Sequence, residues 1–312
     1  MVAWALRIVV GLVLMLALLW PLHALHAGLG PLATWGLPLL VLLLHPLVLL
    51  TEGVLAALLH RDDPLPRPGP RARLQAWRAE SRCSRRLFLL EQMLREHRWP
   101  DRPEPLPRAA GRRGVLLVHG LLCSRAVWND WQPWLQARGV AVIAPSLEPP
   151  FVSIDAHVDR IDAAIRHLAE TTGRPPLLVA HSMGGLVLRA WRCSRLAAGE
   201  RPEEVDARVG PVVTIGSPHR GTWLATLGAV LPNVRQMRRG SRWLAALAQS
   251  ESAAWRERLI CVRSDCDTIV FPPDGARLDG AGQELLLPGR GHLDMLQAPR
   301  LHRLVQDLLD AP

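Results

Sequence analysis

The chain opens with two long apolar runs and only later takes on the alternation of a folded domain. No charged residue lies between Ile8 and Ala24, or between Trp35 and Thr51. A hydrocarbon core of about 30 Å takes about 20 helical residues. Extended at their ends, Ala3–Leu25 and Trp35–Leu59 each suffice, with Arg7 and Glu52 near the water interfaces. Between them, His26-Ala27-Gly28-Leu29-Gly30-Pro31 has turn character. The pattern predicts a helical hairpin with two spans, the second kinked at Pro38 and Pro46. A secretory signal peptide fits poorly. The leading segment has one Arg, no small-residue cleavage site follows, and a second apolar run would survive cleavage.

Residues 61–72 read RDDPLPRPGPRA, a Pro-rich linker that cannot be helical throughout. Helical character returns over Leu74–Arg95, where Leu74, Trp77, Leu87, Leu90 and Leu94 sit among Arg and Glu. Such a helix either lies in a membrane interface or covers a domain. Pro100, Pro103, Pro105 and Pro107 then break the chain again. From residue 114 strands and helices alternate. Apolar runs at Gly114–His119, Gly139–Ala144, Pro176–His181, Pro211–Gly216, Leu259–Arg263 and Glu284–Leu287 read as buried strands. Helical patterns cover most of Val127–Arg138, where Pro133 starts or kinks the helix, and Ile154–Glu170, Gly184–Ala198 and Leu293–Leu309. Near-continuous apolar strands between helices predict an α/β fold with a mostly parallel sheet covered on both faces. The chain thus divides into a hairpin over 1–60, an Arg/Pro-rich juxtamembrane segment over 61–113, and a catalytic domain over 114–312.

Composition adds constraints. Of 312 residues, 49% are hydrophobic, which with 21% charged excludes a disordered chain. Five cysteines, an odd number, exclude a disulfide framework. Every basic residue is Arg, because Lys is absent. The net charge of +9 is uneven: residues 61–113 carry +7 of it, beside the apolar hairpin. That placement argues for anionic lipid and against nucleic acid as the partner. The hairpin loop has no Arg, whereas Arg61, Arg67, Arg71 and Arg73 follow the second span closely. The Arg bias therefore predicts an integral membrane protein, of the bacterial inner membrane, with both termini and the catalytic domain on the cytoplasmic side. His23, His26 and His45 lie in or near the apolar region without a carboxylate or Cys beside them, and read as interfacial residues rather than metal ligands.

The chemistry concentrates in four loops. Ala180-His181-Ser182-Met183-Gly184-Gly185 follows a strand and precedes a helix, the context of a nucleophile elbow, with Ala180 in place of the usual first Gly. A base and its orienting acid should follow in the order acid, then His. Ser264-Asp265-Cys266-Asp267-Thr268 and Pro288-Gly289-Arg290-Gly291-His292 each follow a strand. His292 is the candidate base; His302, inside the last helix, reads as a surface residue. Asp265 and Asp267 both remain candidates for the acid on position alone. Val118-His119-Gly120-Leu121-Leu122 follows the first strand, so the N–H groups of Leu121 and Met183 can form an oxyanion hole.

These segments resemble the α/β-hydrolase family, in its bacterial lipase and esterase branch. The resemblance covers residues 114–312 and rests on VLLVHGLL, AHSMGGLVLRAW, IGSPHRGT at Ile215–Thr222, CDTIV at Cys266–Val270 and GHLDML at Gly291–Leu296, in the family's order. It implies Ser182 as nucleophile, His292 as base and, from the Asp-x-Ile/Val-Val context, Asp267 as the acid. It also implies a cap over Trp223–Leu259. There Leu231, Val234, Met237, Trp243, Leu244 and Leu247 form an apolar face and Arg235, Arg238, Arg239 and Arg242 lie opposite. Asp294 sits where some related lipases bind calcium, but no partner carboxylate accompanies it and it reads as a helix-start Asp. The resulting expectation is a membrane-anchored serine hydrolase of lipid-like carboxylic esters, with no cofactor and no metal. A thioesterase or acyltransferase with the same triad, or a non-catalytic scaffold, are the rival readings.

Overall fold

The computed structural model describes residues 1–59, 63, 65–99, 111–228 and 230–311. Pro100, Pro103, Pro105, Pro107 and Arg61, read above as linker residues, lie outside them. Two apolar helices come first, α1 (Val2–His26) and α2 (Pro31–Leu59), antiparallel about a short turn. Their most apolar windows have mean hydropathies of 2.5 and 2.2 and are almost entirely exposed. Trp20 Nε1 donates across the hairpin to the Ala33 carbonyl at 2.8 Å.

The next helix, α3 (Pro70–Arg86), runs into a π turn at Leu87–Glu91 and a last short turn, α4 (Gln92–Leu94). Pro70 starts it, where a missing N–H costs nothing. It covers the α/β domain, with Glu80, Ser81, Ser84, Leu87, Glu91 and Gln92 buried. It also packs along α2: Trp77 Nε1 donates to the Pro46 carbonyl at 3.0 Å, and Ser84 Oγ lies 2.9 Å from His45 Nε2. Arg7 Nε reaches the Met93 carbonyl at 2.5 Å, and the N-terminal ammonium pairs with Glu148.

Six parallel strands form one sheet in the order β2-β1-β3-β4-β5-β6. They are β1 (Val115–Val118), β2 (Val142–Ile143), β3 (Leu177–His181), β4 (Val212–Ile215), β5 (Leu259–Arg263) and β6 (Gln283–Leu286). The apolar runs are unbroken because both faces are covered. Leu116, Val118, Leu178 and Ala180 enter one core cluster, and Val115, Leu117, Leu177 and Val179 the other. β6 is half exposed and begins with Gln283 and Glu284, which suits an edge strand.

On the first face lie α6 (Val158–Thr172), α7 (Met183–Ala197), and the short α8 (Pro202–Ala207). On the second lie α5 (Trp131–Gln136), which follows a 3-10 turn at Arg125–Trp128, and the C-terminal α12 (Pro299–Asp310). Two sequence readings are corrected here. The predicted helix Val127–Arg138 is split, because Pro133 can sit only in the first turn of α5. The predicted helix from Leu293 is a 3-10 turn at Asp294–Gln297 followed by a restart at Pro299, which cannot donate to a preceding turn. Between β4 and β5 come α9 (Pro232–Gln236), α10 (Arg242–Ser250) and α11 (Ala253–Arg256). Val234, Met237, Leu244 and Leu247 of this segment are buried in the first core cluster, so the apolar face expected there packs on the domain.

Candidate active site

Four loops converge at the carboxyl ends of β1, β3, β5 and β6, the edge where such sheets build their sites. Ser182 stands between β3 and α7, as the N-cap of α7, with φ 56° and ψ −128°, a conformation that non-glycine residues rarely adopt. Its N–H is held by the Ile215 carbonyl of β4 at 2.8 Å. The strand-to-helix turn thus fixes the hydroxyl where a strained backbone would otherwise relax. The β1 loop passes so close that a Cβ at Gly120 would stand 2.6 Å from Cβ of Ser182, so only Gly fits there.

The next residues of that loop are the proposed oxyanion donors' neighbourhood. Leu122 has φ 59° and, with Ser182, is one of two positive-φ non-glycine residues among those described. Met183 is the first residue of α7, where backbone N–H groups lack an intrahelical acceptor. Leu121 follows Gly120 on the β1 loop, and Met183 follows Ser182 at the helix start.

Asp267 and His292 meet directly. His292 Nδ1 is 2.8 Å from Asp267 Oδ2, with both residues buried. Asp267 Oδ1 accepts the N–H groups of Ile269 at 2.8 Å and Val270 at 2.9 Å. Asp265 points elsewhere, accepting the Gly289 N–H at 2.7 Å. Of the two acids left open by position, Asp267 is the one bonded to His292.

Burial lowers the His292 pKa, but the Asp267 charge and hydrogen bond, with the charges of Glu80 and Glu52, outweigh it and hold the imidazole above its ordinary value. The neighbouring His181 ring lies 4.5 Å from that of His292, and its Nε2 is 3.2 Å from the His292 carbonyl oxygen. Burial, then the charge of His292, push the His181 pKa well below the ordinary range, so one neutral and one chargeable imidazole stand side by side. Asp294 pairs with Arg290, whose Nη1 is 3.2 Å from each carboxylate oxygen. His302 is packed, not free on the surface: its ring lies 4.5 Å from Trp131 and 5.0 Å from Trp134.

Two residues of the juxtamembrane helix touch this site and escaped the sequence reading. The Glu80 carboxylate accepts the N–H of Leu293 at 2.9 Å and that of Asp294 at 3.1 Å, immediately after His292. Gln92 Oε1 accepts the Ser124 N–H at 2.5 Å, and its Nε2 donates to the Leu122 carbonyl at 3.3 Å. The only signal was their polarity within an Arg-rich helix. Behind Asp267, a cavity of about 310 Å3 opens between α2, α3 and the acid loop, walled by Leu49, Val54, Trp77 and Phe271.

Comparison with known proteins places this geometry. No curated protein matches the chain. Among solved structures, the mature form of the Bacillus licheniformis lipase BlEst2 superposes with a TM-score of 0.53 at 18% identity, over 66% of this chain and 94% of that one. Its propeptide form gives 0.52 at 18% identity, over 68% of this chain and 53% of that one. A monoacylglycerol lipase from Paleococcus ferrophilus gives 0.45 at 18% identity, over 64% and 96%. At such identities the likeness is one of fold. The profile of the alpha/beta hydrolase family matches residues 115–310, and the chain belongs to that family.

Proposed function

We propose that the protein is a membrane-anchored serine hydrolase that cleaves carboxylic esters, with lipid-like esters as its substrates. The observation that carries this reading is the 2.8 Å contact between Asp267 and His292 beside an elbow that holds Ser182 at positive φ. In the mechanism, Ser182 Oγ attacks the acyl carbonyl carbon as His292 Nε2 takes its proton. Asp267 holds Nδ1–H and stabilises the imidazolium. The N–H groups of Leu121 and Met183 donate to the developing oxyanion; removing one such donor costs about 3 kcal/mol in comparable enzymes. His292 then protonates the leaving alkoxide, and water, activated by the same imidazole, releases the acyl-enzyme. The chain's own residues supply each of these roles, without a cofactor or metal.

The same reading has α1 and α2 crossing the membrane and the catalytic domain on the cytoplasmic side. It is supported by two exposed apolar helices of 25 and 29 residues followed by the Arg-rich segment.

The test is labelling with a fluorophosphonate and hydrolysis of p-nitrophenyl esters from acetyl to palmitoyl, run beside acyl-CoA thioesters. Wild-type protein should label and should prefer the oxygen esters. Ser182→Ala should stop labelling and cut turnover by about 10⁴–10⁶-fold while leaving the melting temperature nearly unchanged. Near wild-type turnover in that variant would remove Ser182 from its role. A clear preference for thioesters would move the substrate class, and a wild type that neither labels nor hydrolyses would leave a scaffold.

A further inference from the structure

The juxtamembrane helix reaches two loops of the candidate site, each through one buried polar side chain. Glu80 is 4% exposed and Gln92 is fully buried. Glu80 grips the loop that carries His292: its carboxylate takes the first two N–H groups after the imidazole-bearing residue. A Cβ at position 291 would meet Glu80 Oε2 at 2.4 Å, so Gly291 is what lets the carboxylate come this close. Gln92 grips the opposite loop. It satisfies one acceptor and one donor on either side of Cys123, at Leu122 and Ser124, directly after the proposed oxyanion donor Leu121.

The helix is built to present both. Glu80, Ser84, Leu87 and Glu91 recur at helical spacing on the buried side. The π turn at Leu87–Glu91 then widens the coil, so that Gln92 is buried beside Glu91. Glu91 is itself occupied: its Oε2 accepts Asn129 Nδ2 at 2.9 Å.

We infer that Glu80 and Gln92 are positioning residues for ester hydrolysis, setting the His292 loop and the Leu121 loop from a helix that lies outside the matched family region. This rests on the hydrolase reading above. Burying a lone carboxylate is costly, and an apolar side chain would pack there more cheaply if folding were its only purpose. Glu80 also acts on charge. The charged and titratable groups facing it and His292 are Asp267 on the acid loop, Glu52 on α2 and His181 on β3. Burial first of all lifts the Glu80 pKa to about 7, with the charge of His292 and the two N–H groups pulling it back. Its negative charge in turn favours the imidazolium that forms as Ser182 loses its proton.

The experiment uses the full chain in detergent micelles, with turnover normalised to the fraction labelled by a fluorophosphonate. Glu80→Gln keeps the volume and one acceptor. It should lower kcat on the order of 10–100-fold with KM within about twofold, a loss typical of residues that orient a reacting group. It should also shift the acid limb of the kcat/KM profile to lower pH, since a charge that raised the His292 pKa is gone. Gln92→Ala should lower kcat to a similar extent without moving that limb, because an amide carries no charge and acts on the other loop. Melting temperatures separate these outcomes from simple unfolding. Should Glu80→Gln not fold, Gln92→Glu, which keeps the Ser124 acceptor and loses the donor to Leu122, still tests the oxyanion side by its kcat. Unchanged kcat per labelled Ser in the folded variants, or identical pH profiles in Glu80→Gln and wild type, would overturn the inference. A wild type that does not label at all would instead sink the hydrolase reading.

Discussion

Asp265 and Asp267 stand two residues apart on one loop and hold different segments. Asp267 bonds His292 Nδ1 at 2.8 Å, whereas Asp265 bonds the backbone of Gly289 at 2.7 Å. The pair therefore offers an internal control. Asp267→Asn should cost about 10⁴-fold in kcat, as in another triad enzyme where the orienting carboxylate was lost and the wrong imidazole tautomer resulted. Asp265→Asn keeps an acceptor for Gly289 and should cost less than about tenfold, given that its loss touches only loop support. Steady-state kinetics on one ester decides it; the reverse ranking would move the orienting role to Asp265.

Activity should depend on pH through His292. The imidazole must be neutral to accept the Ser182 proton, and its folded-state pKa is held above 6.5 by Asp267 and its acidic neighbours. Activity is then full well above that raised value and is lost as pH falls through it. The acid limb of kcat/KM, which reports the free enzyme, should have its midpoint above 6.5. A midpoint below the ordinary His value would show that burial, and not the carboxylates, dominates.

Membrane topology follows from the hairpin and the charge step after it. The full chain should resist extraction by high salt, because apolar surface and not charge holds it. A C-terminal fluorescent protein that matures only in the cytoplasm should glow, and a C-terminal phosphatase that needs the periplasm should stay silent. The opposite pair of results would invert the hairpin and put the substrate pool on the other side.

Most of the fold could be read from residue patterns because a doubly covered parallel sheet writes itself as unbroken apolar runs. Val115–Val118 and Leu259–Arg263 are such runs, and each lies inside its predicted strand. The elbow was legible because close packing there admits only small neighbours, such as Gly120. Helix ends were less legible. Pro299 fits the middle of an apolar periodicity equally well on paper, and only its lost N–H makes it a start. Position alone could not separate Asp265 from Asp267, since orientation within a loop leaves no periodic trace. Glu80 was hidden for a related reason: an amphipathic pattern tells which side of a helix is buried, but not what backbone waits opposite. Among so many Arg, it read as one more solvated charge.

The way the hairpin meets the domain has a kinetic consequence. Its contacts with the rest of the chain include those of Met1, just before α1, of Arg7 on α1, and of His45, Pro46 and Gly53 on α2. The stretch of α1 from Ile8 to His26 measures about 28 Å at 1.5 Å per residue, close to the thickness of a hydrocarbon core. With that stretch inserted, these contacts would hold Ser182 beside the lipid, unable to diffuse into bulk solvent. Encounter with the proposed lipid-like ester would then become a search in two dimensions. The concentration governing turnover would be the mole fraction of ester in the leaflet, so dilution by inert lipid would slow the enzyme and dilution by buffer would not.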